Sequence, residues 1–275
     1  MTSQLLDIAA ADGHVCHAVF ELPDGRGPFP GVVAIHGGMG SQTADALMEI
    51  ATSEKAAPRH LVRQGYAVLT SDYRHPSLVN LEIDDTIAAY DTLRRHPAVI
   101  ADRVGLCGTS HGGVCALYAG MRIAPACIVA EEAATDLAYR HEVLSVSVRE
   151  HQGELEGYLK LDKELWDEFA ARMGGPPSLV RNAYERMSGH AQAAKIRSPV
   201  LLVSGDTDYL PHTLTMAAAL LKANRSCEIA LYRNAWHTFW WNRADIPAFA
   251  AADATVLAFL REHLKTGHAE PSACT

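Results

Sequence analysis

One serine in this chain is set for chemistry. Ser110 stands in Gly108-Thr109-Ser110-His111-Gly112, where the apolar run Val104-Gly105-Leu106-Cys107 ends and a run of small residues with helical spacing begins. A strand that turns sharply into a helix crowds the backbone at the bend. The flanking positions therefore call for glycine, and the serine is lifted above the sheet edge with its neighbour's N–H beside it, the pattern of a nucleophile elbow. A serine hydroxyl is a weak nucleophile until a base takes its proton, and that base needs an acid to fix its tautomer and steady its cationic form. Both residue types follow downstream. The apolar run from Pro199 enters an acidic turn holding Asp206 and Asp208, and His237 follows the strand-like run Glu228-Ile229-Ala230-Leu231-Tyr232. The predicted chemistry is attack of Ser110 on an acyl carbon, with His237 as base and one of the two aspartates behind it. The other reading of Asp206 is a turn residue whose carboxylate caps loop backbone.

The oxyanion formed by such an attack needs two N–H donors. The backbone N–H of His111 is one expected donor, and Gly38 or Met39 supplies the other from His36-Gly37-Gly38-Met39-Gly40, where glycines let the backbone approach a substrate oxygen. No Gly-Lys-Ser/Thr follows, so this loop does not read as a phosphate cradle. Glu131 and Glu132 end a strand on the same edge and read either as ligands for a substrate amine or, the plainer reading, as caps of the following helix. Trp236, Trp240 and Trp241 flank the histidine as pocket wall or core, and Arg74 and His75 follow another strand as pocket or loop residues.

Strands are predicted over Cys16–Leu22, Gly31–Ile35, Tyr66–Ser71, Val104–Cys107, Cys127–Ala130 and Pro199–Ser204, with a loop and helix over Ser41–Gln64 and a helix over Leu81–Arg95. Strands alternating with helices at this rhythm argue for an α/β fold whose mostly parallel sheet is covered on both faces, with right-handed crossovers. Ser110, the aspartates and His237 all fall at carboxyl ends of strands, where such sheets place their sites. Residues 1–275 read as one domain with a helical cap inserted at about 133–194. Leu155, Tyr158, Leu159, Trp166, Phe169 and Met173 recur there at helical spacing before Gly174-Gly175-Pro176-Pro177 breaks the pattern. They line a pocket beneath a lid, or pack the insertion onto the core.

With 275 residues the chain can bury a complete core, and a formal charge of -8 gives no footprint for nucleic acid or an anionic membrane. No stretch has the length of a membrane span, and Met1–Asp7 lacks the pattern of a signal peptide, so the expected location is cytoplasmic. The six cysteines form no Cys-x-x-Cys pair and the fourteen histidines no His-x-x-x-His with an adjacent Glu. No cofactor and no metal are expected. The expected partner is a small ester or peptide-like substrate, with homodimerisation through an edge strand or the cap left open.

Together, Pro30–Gly38, Gly65–Arg74, Asp102–Gly113, the strand into Asp208, and His237 resemble the α/β-hydrolase superfamily of serine hydrolases, on the side of prolyl oligopeptidase-like catalytic domains and dienelactone hydrolase-like esterases. The resemblance runs from about Asp12 to Leu264. It implies an α/β-hydrolase fold and a triad of Ser110, Asp208 and His237, and it is the resemblance that favours Asp208 over Asp206. The chain departs from it in lacking room for the propeller of the large oligopeptidases and in having Ser where dienelactone hydrolases have Cys. The implied activity is a carboxylesterase or lactone hydrolase working through an acyl-enzyme. The alternatives are a peptidase of the acylaminoacyl or prolyl type, an acyltransferase, thioesterase or cyclase, and a ligand-binding module without catalysis.

Overall fold

The computed structural model describes residues 2–38, 41–74, 79–150, 156–207, 209–242 and 246–265. Eight strands form one sheet: β1 (Thr2–Ala9), β2 (Val15–Leu22), β3 (Phe29–Ile35), β4 (Ala67–Ser71), β5 (Val99–Thr109), β6 (Ile128–Glu131), β7 (Val200–Gly205) and β8 (Cys227–Tyr232). Their spatial order is β1-β2-β4-β3-β5-β6-β7-β8. From β4 to β8 all neighbours are parallel, and the β1–β2 and β2–β4 pairs are antiparallel. The expected α/β-hydrolase fold is therefore the observed one. The sequence reading missed β1, because Thr2–Ala9 is exposed at most positions and carries little apolar alternation.

Between the strands run α1 (Ala44–Thr52), α2 (Ala57–Arg63), α3 (Leu81–Arg95), α4 (His111–Gly120), α5 (Leu137–Glu150), α6 (Glu156–Met173), α7 (Pro177–Met187), α8 (Gly189–Gln192) and α9 (Leu210–Lys222), and α10 (Phe239–Asn242) and α11 (Pro247–Leu260) follow β8. The single helix expected over Ser41–Gln64 is two, since Pro58 near the start of α2 has no N–H to continue a preceding turn. Helices α5 to α8 all lie between β6 and β7.

Successive side chains of a strand point to opposite faces, and here both faces are buried. Val33 and Ile35 of β3 join the core made with α3, α4 and α9, whereas Val32 and Ala34 join the one made with α2, α10 and α11. Every residue of α4 is buried. That helix holds Gly112 where an added Cβ would lie 2.2 Å from the Ile35 carbonyl oxygen, so only glycine lets it approach β3 this closely. No helix among the described residues is long and apolar enough to cross a membrane.

Candidate active site

Ser110 sits between β5 and α4 with φ 53° and ψ -119°, a region that non-glycine residues rarely occupy. Two more such residues adjoin it, Glu132 (φ 47°) after β6 and Thr238 (φ 62°) after His237. Each is pinned by its own amide: Ser110 N donates to the Glu131 carbonyl at 2.8 Å, Glu132 N to the Val203 carbonyl at 2.9 Å, and Thr238 N to Glu132 Oε2 at 2.9 Å. Strain gathered at one spot and held by hydrogen bonds marks a site built for geometry. Gly108 permits the bend, since a Cβ there would lie 2.1 Å from the Gly112 carbonyl oxygen.

His237 Nε2 lies 2.9 Å from Ser110 Oγ, and its Nδ1 lies 2.8 Å from Glu132 Oε2. A carboxylate can only accept, so Nδ1 carries the proton and Nε2 is left to accept from the serine. The fully buried Glu132 carboxylate also accepts from Gly205 N at 3.0 Å and from Thr207 Oγ1 at 2.9 Å, both on Oε1. With Thr238 N and His237, four donors fix its two oxygens.

The carboxylate that meets His237 is thus Glu132, at the end of β6, where the sequence reading expected Asp208 after β7. Asp208 itself lies outside the described residues. The plainer reading of Glu132 as a cap of the following helix is overturned, because its oxygens face the histidine loop and the end of β7. Asp206 accepts from Asn234 N at 3.0 Å and Ala235 N at 3.2 Å, a loop-capping role as one reading had it, though in the loop before His237 rather than in its own turn, and these amides, Asn234 first, hold its carboxyl below the usual carboxylate range. It shapes the loop that delivers His237.

Glu131 is fully buried as well. Thr109 Oγ1 donates to its Oε2 at 2.6 Å and Trp240 N to its Oε1 at 2.7 Å, which ties the strand end before Ser110 to the turn after His237. Burial, with the neighbouring Glu132 charge adding to it, pushes its carboxyl up to about 8 despite these donors. The folded state therefore keeps a proton that the unfolded chain releases near its ordinary value of 4.5. Its contribution to stability is full below the unfolded value and is lost as pH rises through the folded one. Thermal melts from pH 5 to 9 should show wild type losing stability across that window, and Glu131→Gln losing distinctly less.

His111 begins α4, so its N–H has no helical carbonyl to serve and is available to an oxyanion. Gly38, with φ 97°, lines a cleft of about 370 Å3 together with Ser110, His237, Gly37, Ile50 and Trp241. Met39, the other expected donor, lies outside the described residues. The loop is held from beneath: His36 Nε2 meets Asp72 Oδ1 at 3.1 Å, and Tyr73 Oη donates to the carbonyls of Gly38 at 2.8 Å and His36 at 3.2 Å. Asp72 and Tyr73, which the sequence reading did not single out, set the path of this backbone.

The remaining candidates separate cleanly. Trp241 walls the cleft, Trp240 is core with Nε1 donating to Asp253 Oδ1 at 3.3 Å, and Trp236 is exposed. Arg74 is engaged by Asp12 and Asp85, a loop role, and His75 lies outside the described residues. In the helices between β6 and β7, Trp166 and Phe169 pack with Leu137, Leu165 and Tyr184 in a cluster of their own, Met173 packs against that cluster, and Leu155 lies outside the described residues.

A family model described as the alpha/beta hydrolase fold matches residues 32–241. The uncharacterized peptidase YtmA of Bacillus subtilis (strain 168) is 23% identical over 188 residues, which cover 64% of this chain and 66% of that protein. Among solved structures, the acylaminoacyl peptidase of Pyrococcus horikoshii superposes with a TM-score of 0.72 at 16% identity, covering 97% of this chain but only 42% of its own. The carboxylesterase EstE1, cloned from a metagenomic library, superposes with a TM-score of 0.72 at 17% identity over 96% of this chain and 90% of its own. These identities make the likeness to solved structures one of fold. With its elbow serine, crossover sheet and matching family model, the chain belongs to the alpha/beta hydrolase fold family.

Proposed function

We propose that the protein is a serine hydrolase that cleaves a carboxylic ester or lactone through an acyl-enzyme on Ser110. The observation that carries this reading is the continuous chain from Ser110 Oγ to His237 Nε2 at 2.9 Å and from His237 Nδ1 to Glu132 Oε2 at 2.8 Å. A binding module has no use for a base whose tautomer is set by a buried acid. Ser110 Oγ attacks the carbonyl carbon while its proton passes to His237 Nε2, and Glu132 steadies the imidazolium. The His111 and Gly38 amides receive the oxyanion. The tetrahedral adduct collapses as His237 returns the proton to the leaving oxygen. Water then repeats the sequence on the acyl-enzyme and frees Ser110.

An ester is favoured over an amide by the likeness to EstE1, which matches over nearly the whole length of both chains. The likenesses to acylaminoacyl peptidase and YtmA favour a peptidase as the second reading. The two are separated by measuring kcat/KM for p-nitrophenyl esters of rising acyl length beside aminoacyl p-nitroanilides, with Ser110→Ala as the blank. Ester turnover that dominates and vanishes in the blank is the expected result. Dominant anilide cleavage would assign a peptidase, and turnover surviving in the blank would remove Ser110 from the reaction.

A further inference from the structure

Two hydrogen bonds at the two nitrogens of an imidazole fix a line through the ring but leave the ring free to rock about that line. At His237 the rocking is blocked by a second ring. Tyr209 stacks on the imidazole with centroids 4.0 Å apart and planes 18° from parallel. Tyr209 is itself buried, at 6% exposure. Its amide donates to Thr207 Oγ1 at 3.2 Å, and that same hydroxyl donates to Glu132 Oε1, so ring and acid are held by one short turn. The guanidinium of Arg140, a buried residue of α5 in the insertion, lies over the same tyrosine ring at 4.9 Å from its centroid. His212 completes the enclosure at 5.8 Å.

We propose that Tyr209 is a positioning residue for His237, its flat ring holding the imidazole plane that serves Ser110 and Glu132, and that Arg140 of the insertion holds Tyr209 in turn. The proposal rests on the serine-hydrolase reading for its effect on turnover but not for the stack itself. It gives the insertion a role other than roofing the cleft: through Arg140 it reaches the base. A guanidinium on an aromatic face is attracted by the negative face of the ring, which favours one setting of the ring. A base tilted out of line by an ångström can cost about a hundredfold in rate, since the proton must move along the hydrogen bond as the bond to carbon forms.

The test compares Tyr209→Phe, which keeps the flat ring, with Tyr209→Leu, which keeps apolar bulk without it. On the best p-nitrophenyl ester, Tyr209→Leu should lose about 10- to 100-fold in kcat with KM nearly unchanged, and Tyr209→Phe should restore kcat to within about threefold of wild type. Arg140→Met should lower kcat in the same direction by less, and adding it to Tyr209→Leu should cost little more, as expected of residues acting through one ring. A substrate-free readout accompanies the kinetics. The His237 ring protons, observed by NMR in histidine-labelled protein, should resonate upfield from the tyrosine ring current and move downfield in Tyr209→Leu. A Leu variant with wild-type kcat, a Phe variant as impaired as Leu, or wild-type ring protons without the upfield shift would each overturn the proposal. The upfield shift without Ser110-dependent turnover would overturn the hydrolase reading and leave the stack standing.

Discussion

Glu132→Gln is expected to lower kcat by about a thousand- to ten-thousand-fold, while Asp208→Asn leaves it near wild type. An amide oxygen can still accept from His237 Nδ1, but its NH2 would then face Gly205 N and Thr207 Oγ1, both of which donate to Glu132 now. If the amide turns over, the NH2 meets Nδ1 and selects the tautomer in which Nε2 carries the proton and cannot take one from Ser110. Either setting removes the negative charge beside the imidazolium. Steady-state kinetics of the two variants on one ester decide the matter. A large loss in Asp208→Asn with little in Glu132→Gln would return the acid's role to the end of β7.

The second large effect falls on folding. In Gly112→Ala the new Cβ would meet two backbone oxygens, 2.2 Å from Ile35 and 2.4 Å from His36, neither of which can move without shifting β3 or the loop that follows it. The expected cost is about 4 kcal/mol or more, and the protein should be recovered poorly or melt far below wild type. Gly120→Ala provides the contrast on the same helix. There the closest atom, at 2.3 Å, is Cδ1 of Ile128, the far end of a side chain rather than backbone. Since alanine is also the better helix former by about 1 kcal/mol, that variant should stay folded and active. Thermal melts of the pair read the difference, and equal stability would refute the close packing of α4 on β3.

How far the sequence reached follows from which features are local. Ser110 was legible because a strand, a bend and a helix are contiguous, and the glycines the bend demands flank the serine itself. His237 was legible as the histidine after the last predicted strand. The acid was not. Its identity depends on which strand end the histidine loop meets across the sheet, and Glu132 and His237 are 105 residues apart. A pair of acids closing an apolar strand on the site's edge was the available signal, and it resembles a helix cap equally well. Asp206 does cap loop backbone, as one reading of it had it, but the amides it holds lie 28 and 29 residues on, in the loop before His237, which the sequence does not show. Tyr209 and Tyr73 were missed for the same reason as Glu132: an aromatic that braces a catalytic group looks, in sequence, like any core aromatic. In the insertion, helical spacing foretold burial but not against what, and the described stripe residues Trp166, Phe169 and Met173 turned out to bury one another.

Intact-protein mass spectrometry after a short exposure to a fluorophosphonate tests whether Ser110 is an activated nucleophile. One phosphonyl adduct per chain is expected, mapping to the peptide that holds Ser110, absent in Ser110→Ala and slowed by roughly a hundredfold or more in His237→Ala. An adduct on another residue, or none on folded wild-type protein, would contradict it.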